Sequence, residues 1–266
     1  MTVVVSASIP AAQRNDPRVL WPRHAPASIV VSSAAPLYDG AFAAQPQTYS
    51  SWKPTSGTST IEFDYGVPRP VDSCGIGAHT LFTAGSTVTV QRWTGTAWAT
   101  VATFAVTSNR AVLFLFPEVT AQRWRLSITG AAAPEIGFLC FSKAMVLPRA
   151  TRFAPDTPIT EAEQYTYNVN RTQTGTWAGR SVSSSGLRFE VRCSNVPESF
   201  AAGDWAAFRA HCNVGDGTFF IAPKPQGYPE EVAYAMPTDT LAAGRARSNA
   251  AISRDIELAC EGYLAP

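Results

Sequence analysis

Apolar and polar residues alternate with a period of two along much of this chain. Ile61, Phe63 and Tyr65 face one way, Thr60, Glu62 and Asp64 the other, and Gly66 follows. That pattern predicts a strand with one buried face. Residues 87–93 repeat it through Val88 and Val90, turn at Thr94-Gly-Thr96 and return through Trp98 and Val101, a predicted hairpin. Residues 111–116 and 135–141 are instead almost continuously apolar, which predicts strands covered on both faces. Between them, Trp124, Leu126 and Ile128 alternate with Arg123, Arg125 and Ser127.

The periodicity stops at 147–158, where three prolines fall among about a dozen residues, and 148–158 reads as a linker. Up to Pro148 the chain has ten basic and seven acidic residues, and beyond it eleven and thirteen. Alternation resumes at 164–169 and at 186–193, where Leu187, Phe189, Val191 and Cys193 share a face. Residues 172–185, rich in Thr, Ser and Gly, predict a long exposed hairpin tip between those strands. Residues 204–212 predict the one helix, with Trp205, Phe208 and Cys212 on a stripe, Asp204 as its cap and Gly215 at its stop. Residues 218–222 and 255–260 are further strands. The expectation is a mainly β protein in two units, 1–147 with an N-terminal arm and 159–266 carrying one helix.

Composition narrows the function classes. The 266 residues are 45% hydrophobic but only 15% charged, with a formal net charge of +1. Such a chain builds cores but has no field to draw in nucleic acid, so no nucleic-acid specificity is expected. No apolar run is long enough to cross a bilayer as a helix, and residues 1–10 lack the basic start of a signal peptide. Cytosolic residence without membrane insertion is therefore expected.

Candidate chemistry is sparse. Cys74, Cys140, Cys193, Cys212 and Cys260 form no CxxC pair, and no metal site is expected, although a cluster assembled from distant cysteines stays open. His24, His79 and His211 belong to no catalytic pattern. Gly75-Ile-Gly77 lacks the third glycine of a dinucleotide fingerprint. Glu62 and Asp64 share one strand face, while Asp216, Glu230 and Glu231 lie in loops, and nothing marks two of these as a glycosidase pair. No catalytic residue and no cofactor are expected. Among seven tryptophans, Trp98, Trp124 and Trp205 sit in periodic segments and are expected in cores. Trp177, between Gly175 and Gly179, is the expected exposed contact, and with Arg171 and Arg180 it forms the candidate assembly interface.

Two resemblances extend this reading. The order Thr48-Tyr-Ser-Ser-Trp52, the strand ending at Gly66, Val71-Asp-Ser-Cys-Gly-Ile-Gly77, Gly95-Thr-Ala-Trp98, Ala121-Gln-Arg-Trp-Arg-Leu126 and Ile136-Gly-Phe-Leu139 resembles the galactose-binding-like, discoidin-type β-sandwich. This covers under half of the chain and implies a jelly-roll sandwich that commonly binds glycans through loops at one end. The second half, through Asn170-Arg-Thr, Gly179-Arg-Ser-Val, Gly186-Leu-Arg-Phe-Glu-Val and Gly217-Thr-Phe-Phe-Ile-Ala-Pro223, looks like distal-tail or baseplate proteins of long-tailed bacteriophages. That resemblance implies a tail-tube-like split β-barrel with one helix.

The leading expectation is thus a non-enzymatic virion structural protein of a phage tail tip, assembled in the host bacterial cytoplasm. It would form a homo-oligomeric ring, trimer or hexamer, joining the tail tube to hub or baseplate proteins. The alternative is a carbohydrate-binding protein that attaches to a cell-surface glycan. A glycoside-active enzyme is a third reading that needs a carboxylate pair.

Overall fold

A computed structural model describes residues 2–148, 158–243, 245–247 and 253–264. The expected linker lies, but for its ends, outside the described residues. In chain order the strands are β1 (Val3–Val5), β2 (Arg18–Leu20), β3 (Ser28–Val31), β4 (Ser59–His79), β5 (Thr87–Trp93), β6 (Trp98–Ala105), β7 (Val112–Thr129), β8 (Ile136–Ser142) and β9 (Met145–Val146). They continue with β10 (Glu163–Arg171), β11 (Trp177–Pro197), helices α1 (Glu198–Ala202) and α2 (Asp204–Val214), then β12 (Phe219–Ala222), β13 (Ala233–Pro237), β14 (Arg245–Arg247) and β15 (Ser253–Gly262).

Two long strands build the sandwich. β4 and β7 pair antiparallel along most of their length, with register shifts at Asp64/Arg69 and Val71/Ser73. Gly66, at φ 73°, begins the irregular stretch, a conformation glycine adopts without a Cβ clash. The first half of β4 and the second half of β7 join β3, β5 and β6 in a front layer. Their other halves join β8 and β1 in a back layer. Ile61, Phe63, Trp124 and Leu126 from the front meet Ile76, Phe114, Leu139 and Phe141 from the back in one core. The segment 71–77 is therefore the continuation of the 60–65 strand, and 111–116 continues into 122–128, where the sequence pattern had suggested separate strands.

The second sheet runs β10-β11-β15-β13-β12-β2-β9, with β14 also on β15. β2 and β9 come from either side of the sandwich in sequence, so the N-terminal arm and the end of the first segment complete the sheet of the second unit. One face of this sheet places Leu20, Phe220, Ala222 and Tyr234 against Leu113, Leu115, Phe138 and Cys140 of the back layer. The opposite face packs Val19, Phe219, Ile221 and Ala233 against Trp205 and Phe208 of α2. The architecture is a stack of front layer, back layer, second sheet and helices. The stacking explains the continuous apolar runs: strands in the middle of it are covered on both faces.

The close approach of the two middle sheets also explains Gly75 and Gly77. A Cβ on Gly75 would stand 2.5 Å from the Phe220 ring, and one on Gly77 would stand 2.9 Å from Cγ of Tyr234. These glycines make room for an aromatic layer in which Phe138 stacks on Phe220 and Tyr234 at 5.9 and 5.0 Å.

Three local expectations change. A short helix, α1, precedes the expected one. Asp204 is the first residue of α2 and not its cap, a position Gly203 holds, and its carboxylate accepts a bond from Arg23 Nη2 at 3.2 Å. The hairpin tip is strand almost throughout: β11 starts at Trp177, and only 172–176 form the turn.

Candidate functional surfaces

β10 and the first half of β11 form a two-stranded ribbon beyond the body of the second sheet. Every residue of β10 and residues 177–185 of β11 are exposed. Directly opposed residues in an antiparallel pair share a face. The register pairs Tyr165 with Ser185, Tyr167 with Val182, Val169 with Arg180 and Arg171 with Trp177. All three interface candidates from the sequence, Trp177, Arg171 and Arg180, thus lie on one face with four other apolar side chains. Trp177 is 62% exposed and Val182 55%. The Arg180 guanidinium lies 4.2 Å over the Tyr167 ring and that of Arg171 5.4 Å from the Trp177 ring. The reverse face is short and polar, with Thr166 and Ser184, and Asn168 and Ser181, opposed. Residues 164–187 contain these two arginines and no carboxylate.

At the base of the ribbon a cleft of about 440 Å³ separates the sandwich loop 46–49 from the second sheet. Tyr49, Met236 and Tyr263 supply apolar surface, and Asp216 and Glu261 supply two carboxylates. Among the described residues no arginine, lysine or histidine lines it. The Tyr234 hydroxyl donates to the Pro46 carbonyl at 2.7 Å and ties the loop to the sheet. Sequence reasoning missed this cleft because its walls come from five separated segments; only the polar, aromatic loop 47–49 hinted at it.

The outer face of the front layer is a third surface. Trp93 and Trp98 are opposed at the turn end of the β5–β6 hairpin, 5.3 Å apart edge to face. The Arg125 guanidinium sits 4.2 Å over Trp98 and donates to Gln91 Oε1 at 2.6 and 2.9 Å. Arg123 pairs with Glu62 and approaches both indoles, at 5.1 and 5.5 Å. Asp64 accepts from Gln122 at 2.9 Å and from the Gly66 N–H, and these bonds, with Arg123 nearby, hold its carboxyl below the usual range. Trp98 is half-buried on this outer face, not in the core as its periodicity suggested, because a register shift at Val90/Gln91 precedes its pairing with Trp93. Trp124 and Trp205 are core residues, 0% and 1% exposed.

The remaining candidates have structural surroundings. His79 is 3% exposed at the end of β4, its Nδ1 accepts from the Leu81 N–H at 3.3 Å, and burial lowers its pKa to about 4. His211 Nε2 lies 2.8 Å from the Thr218 carbonyl, beside Trp21. All five cysteines are free thiols. Burial raises the pKa of Cys74, Cys140 and Cys260, and lifts Cys212 to about 12, so none of these four is a ready thiolate. Among the described residues no group of three or more His, Cys, Asp or Glu is placed to hold a metal, and no helix is long and apolar enough to cross a membrane.

No protein-family model and no curated protein matches the chain. Several solved structures do. One is chitosan-binding module 1 of a chitosanase/glucanase from Paenibacillus sp. IK-5, 17% identical, covering 46% of this chain and 98% of that one at a TM-score of 0.40. Another is a pectin-binding carbohydrate-binding module, 16% identical over 47% and 96%, with a TM-score of 0.40. A third is a Clostridium perfringens module in complex with GalNAc-β-1,3-galactose, 11% identical over 43% and 94%, with a TM-score of 0.39. These neighbours are carbohydrate-binding modules, and each match takes in less than half of the present chain.

Proposed function

We propose that this chain is a non-enzymatic binding protein whose β-sandwich engages carbohydrate. The supporting observation is the outer face of the front layer. A pyranose ring presents an apolar C–H face and a rim of hydroxyls, so its partner must offer an aromatic plane beside fixed donors and acceptors. Trp98 and Trp93 provide the plane, Arg123, Arg125 and Gln91 the donors, and Asp64 and Glu62 the acceptors. Their mutual hydrogen bonds hold the polar groups in place before a ligand arrives, which lowers the cost of ordering them. A glycan array followed by calorimetry tests this. Trp98→Ala is expected to weaken binding at least tenfold with the fold intact, whereas a wild-type protein that binds no glycan removes the reading.

A specific observation favours a second function carried by the same chain, that of a tail-tip structural protein. The exposed ribbon has the form of an assembly element. An isolated two-stranded hairpin is marginal in water, and one with an aromatic and aliphatic face leaves apolar area uncovered. In this reading the ribbons join copies into a ring between a phage tail tube and its hub or baseplate, the protein residing at the virion tail tip. The test is solution mass by light scattering with negative-stain imaging, alone and with tail-tube protein. Closed rings support it, and a strict monomer in both settings excludes it.

A further inference from the structure

We infer that the cleft between loop 46–49 and the second sheet is the receptor for the ribbon tip of a second copy of this chain, with Trp177 as the inserted side chain. The inference rests on the assembly reading and names the surface that reading leaves open. Two features of one chain complement each other in shape and in charge. The ribbon ends in an indole that is 62% exposed, accompanied on the same face by Arg171 and Arg180. The cleft offers about 440 Å³, room for an indole, between Tyr49, Tyr263 and Met236. Its two charged lining residues, Asp216 and Glu261, are both carboxylates. Outside the ribbon the rest of the second half has nine basic and twelve acidic residues, so the same sign relation extends beyond the cleft.

Occupancy of a chain's own cleft by its own tip is ruled out by distance. Ser185 lines the cleft and Trp177 lies eight residues along the strand, about 25 Å away at roughly 3.3 Å per residue. A tip that cannot fold back but fits its own base is a heterologous, head-to-tail contact, and such contacts close into rings when the rotation allows. An aromatic anchor flanked by arginines and seated in a pocket is also the composition of an interface hot spot. The cleft is open in the single copy. In the assembly Trp177 fills it, and the guanidiniums of Arg171 and Arg180 reach its carboxylates as charge-assisted hydrogen-bond donors.

Charge reversal followed by mixing tests the contact. The full-length protein is made as Arg171→Glu/Arg180→Glu and, separately, as Asp216→Arg/Glu261→Arg, with far-ultraviolet circular dichroism and thermal melts confirming each fold. Light scattering is then read on each alone and on an equal mixture. The expected result is association of the wild type, loss of association by more than tenfold in each variant alone, and its return in the mixture, where both contacts are again complementary. Trp177→Ala is expected to weaken association about thirtyfold, the effect of losing a hot-spot anchor. If the wild type associates and the Asp216→Arg/Glu261→Arg variant associates equally well, the cleft is not the receptor and the proposal fails, although the assembly reading stands. If the wild type stays monomeric at every concentration, alone and with tail-tube protein, both fail.

Discussion

β8 and β10 are strands of similar length in one chain with opposite fates: every residue of β8 is buried and every residue of β10 is exposed. β8 is apolar throughout its centre because it lies between two cores, with Leu139 and Phe141 turned into the sandwich and Phe138 and Cys140 toward the second sheet. β10 alternates Tyr165, Tyr167 and Val169 with Thr166, Asn168 and Asn170, the pattern of a strand with one covered face. Among the described residues nothing covers that face. A hydrophobic pattern specifies how many faces are to be buried, not what buries them. In β8 the cover is intramolecular, and in β10 the assembly proposed above would supply it from a second copy.

The comparison can be broken first at the middle of the stack. Phe220→Ala is expected to cost about 3–5 kcal/mol in urea unfolding, since its fully buried ring packs between Phe138 and Tyr234; a loss below ~1 kcal/mol would mean that the two middle sheets do not depend on each other. Acid is the next lever. His79 is neutral when folded, with a pKa of about 4, and titrates near 6.5 when unfolded. Between these values the unfolded state binds the extra proton, so stability falls as pH drops from 6.5 to 4, by at most about 3 kcal/mol. His79→Gln should flatten that part of the profile, and an unchanged slope would assign it to other groups. Gly75→Ala is expected to cost about 1–3 kcal/mol because its Cβ meets the Phe220 ring. Trp177→Ala should shift monomer stability by less than ~0.5 kcal/mol, since the indole covers little within its own chain. A larger loss would show that the ribbon supports the fold itself.

Much of the secondary structure was legible because burial leaves a periodic trace. The strand around Phe63, the hairpin turning at Gly95 and the helix carrying Trp205 and Phe208 all followed from spacing. What the spacing could not show was joining and stacking. Gly66 reads as a strand end, yet β4 resumes beyond the irregularity it begins. Gly75 and Gly77 matched no nucleotide fingerprint, and their packing role against Phe220 and Tyr234 depends on residues about 145 and 157 positions away. Trp177, Arg171 and Arg180 were identifiable from a Gly- and Thr-rich segment, but their common face required the register. The cleft at Tyr49, Asp216 and Glu261 exists only where loop and sheet meet in space, and no local pattern encodes it. Likewise, strands β2 and β9 joined the second sheet across a boundary that the prolines place near 148, because sheet membership is decided by pairing and not by chain order.

Hydrogen exchange, followed residue by residue at low and high protein concentration, tests the contrast between β8 and β10 most directly. The account predicts that β8 amides are protected equally at both concentrations, while those of β10 and of residues 177–185 exchange fast in dilute solution and slow markedly as copies associate. Ribbon amides as protected as those of β8 in a dilute monomer, or equally fast in a concentrated sample, would contradict the claim that the ribbon is completed by another copy.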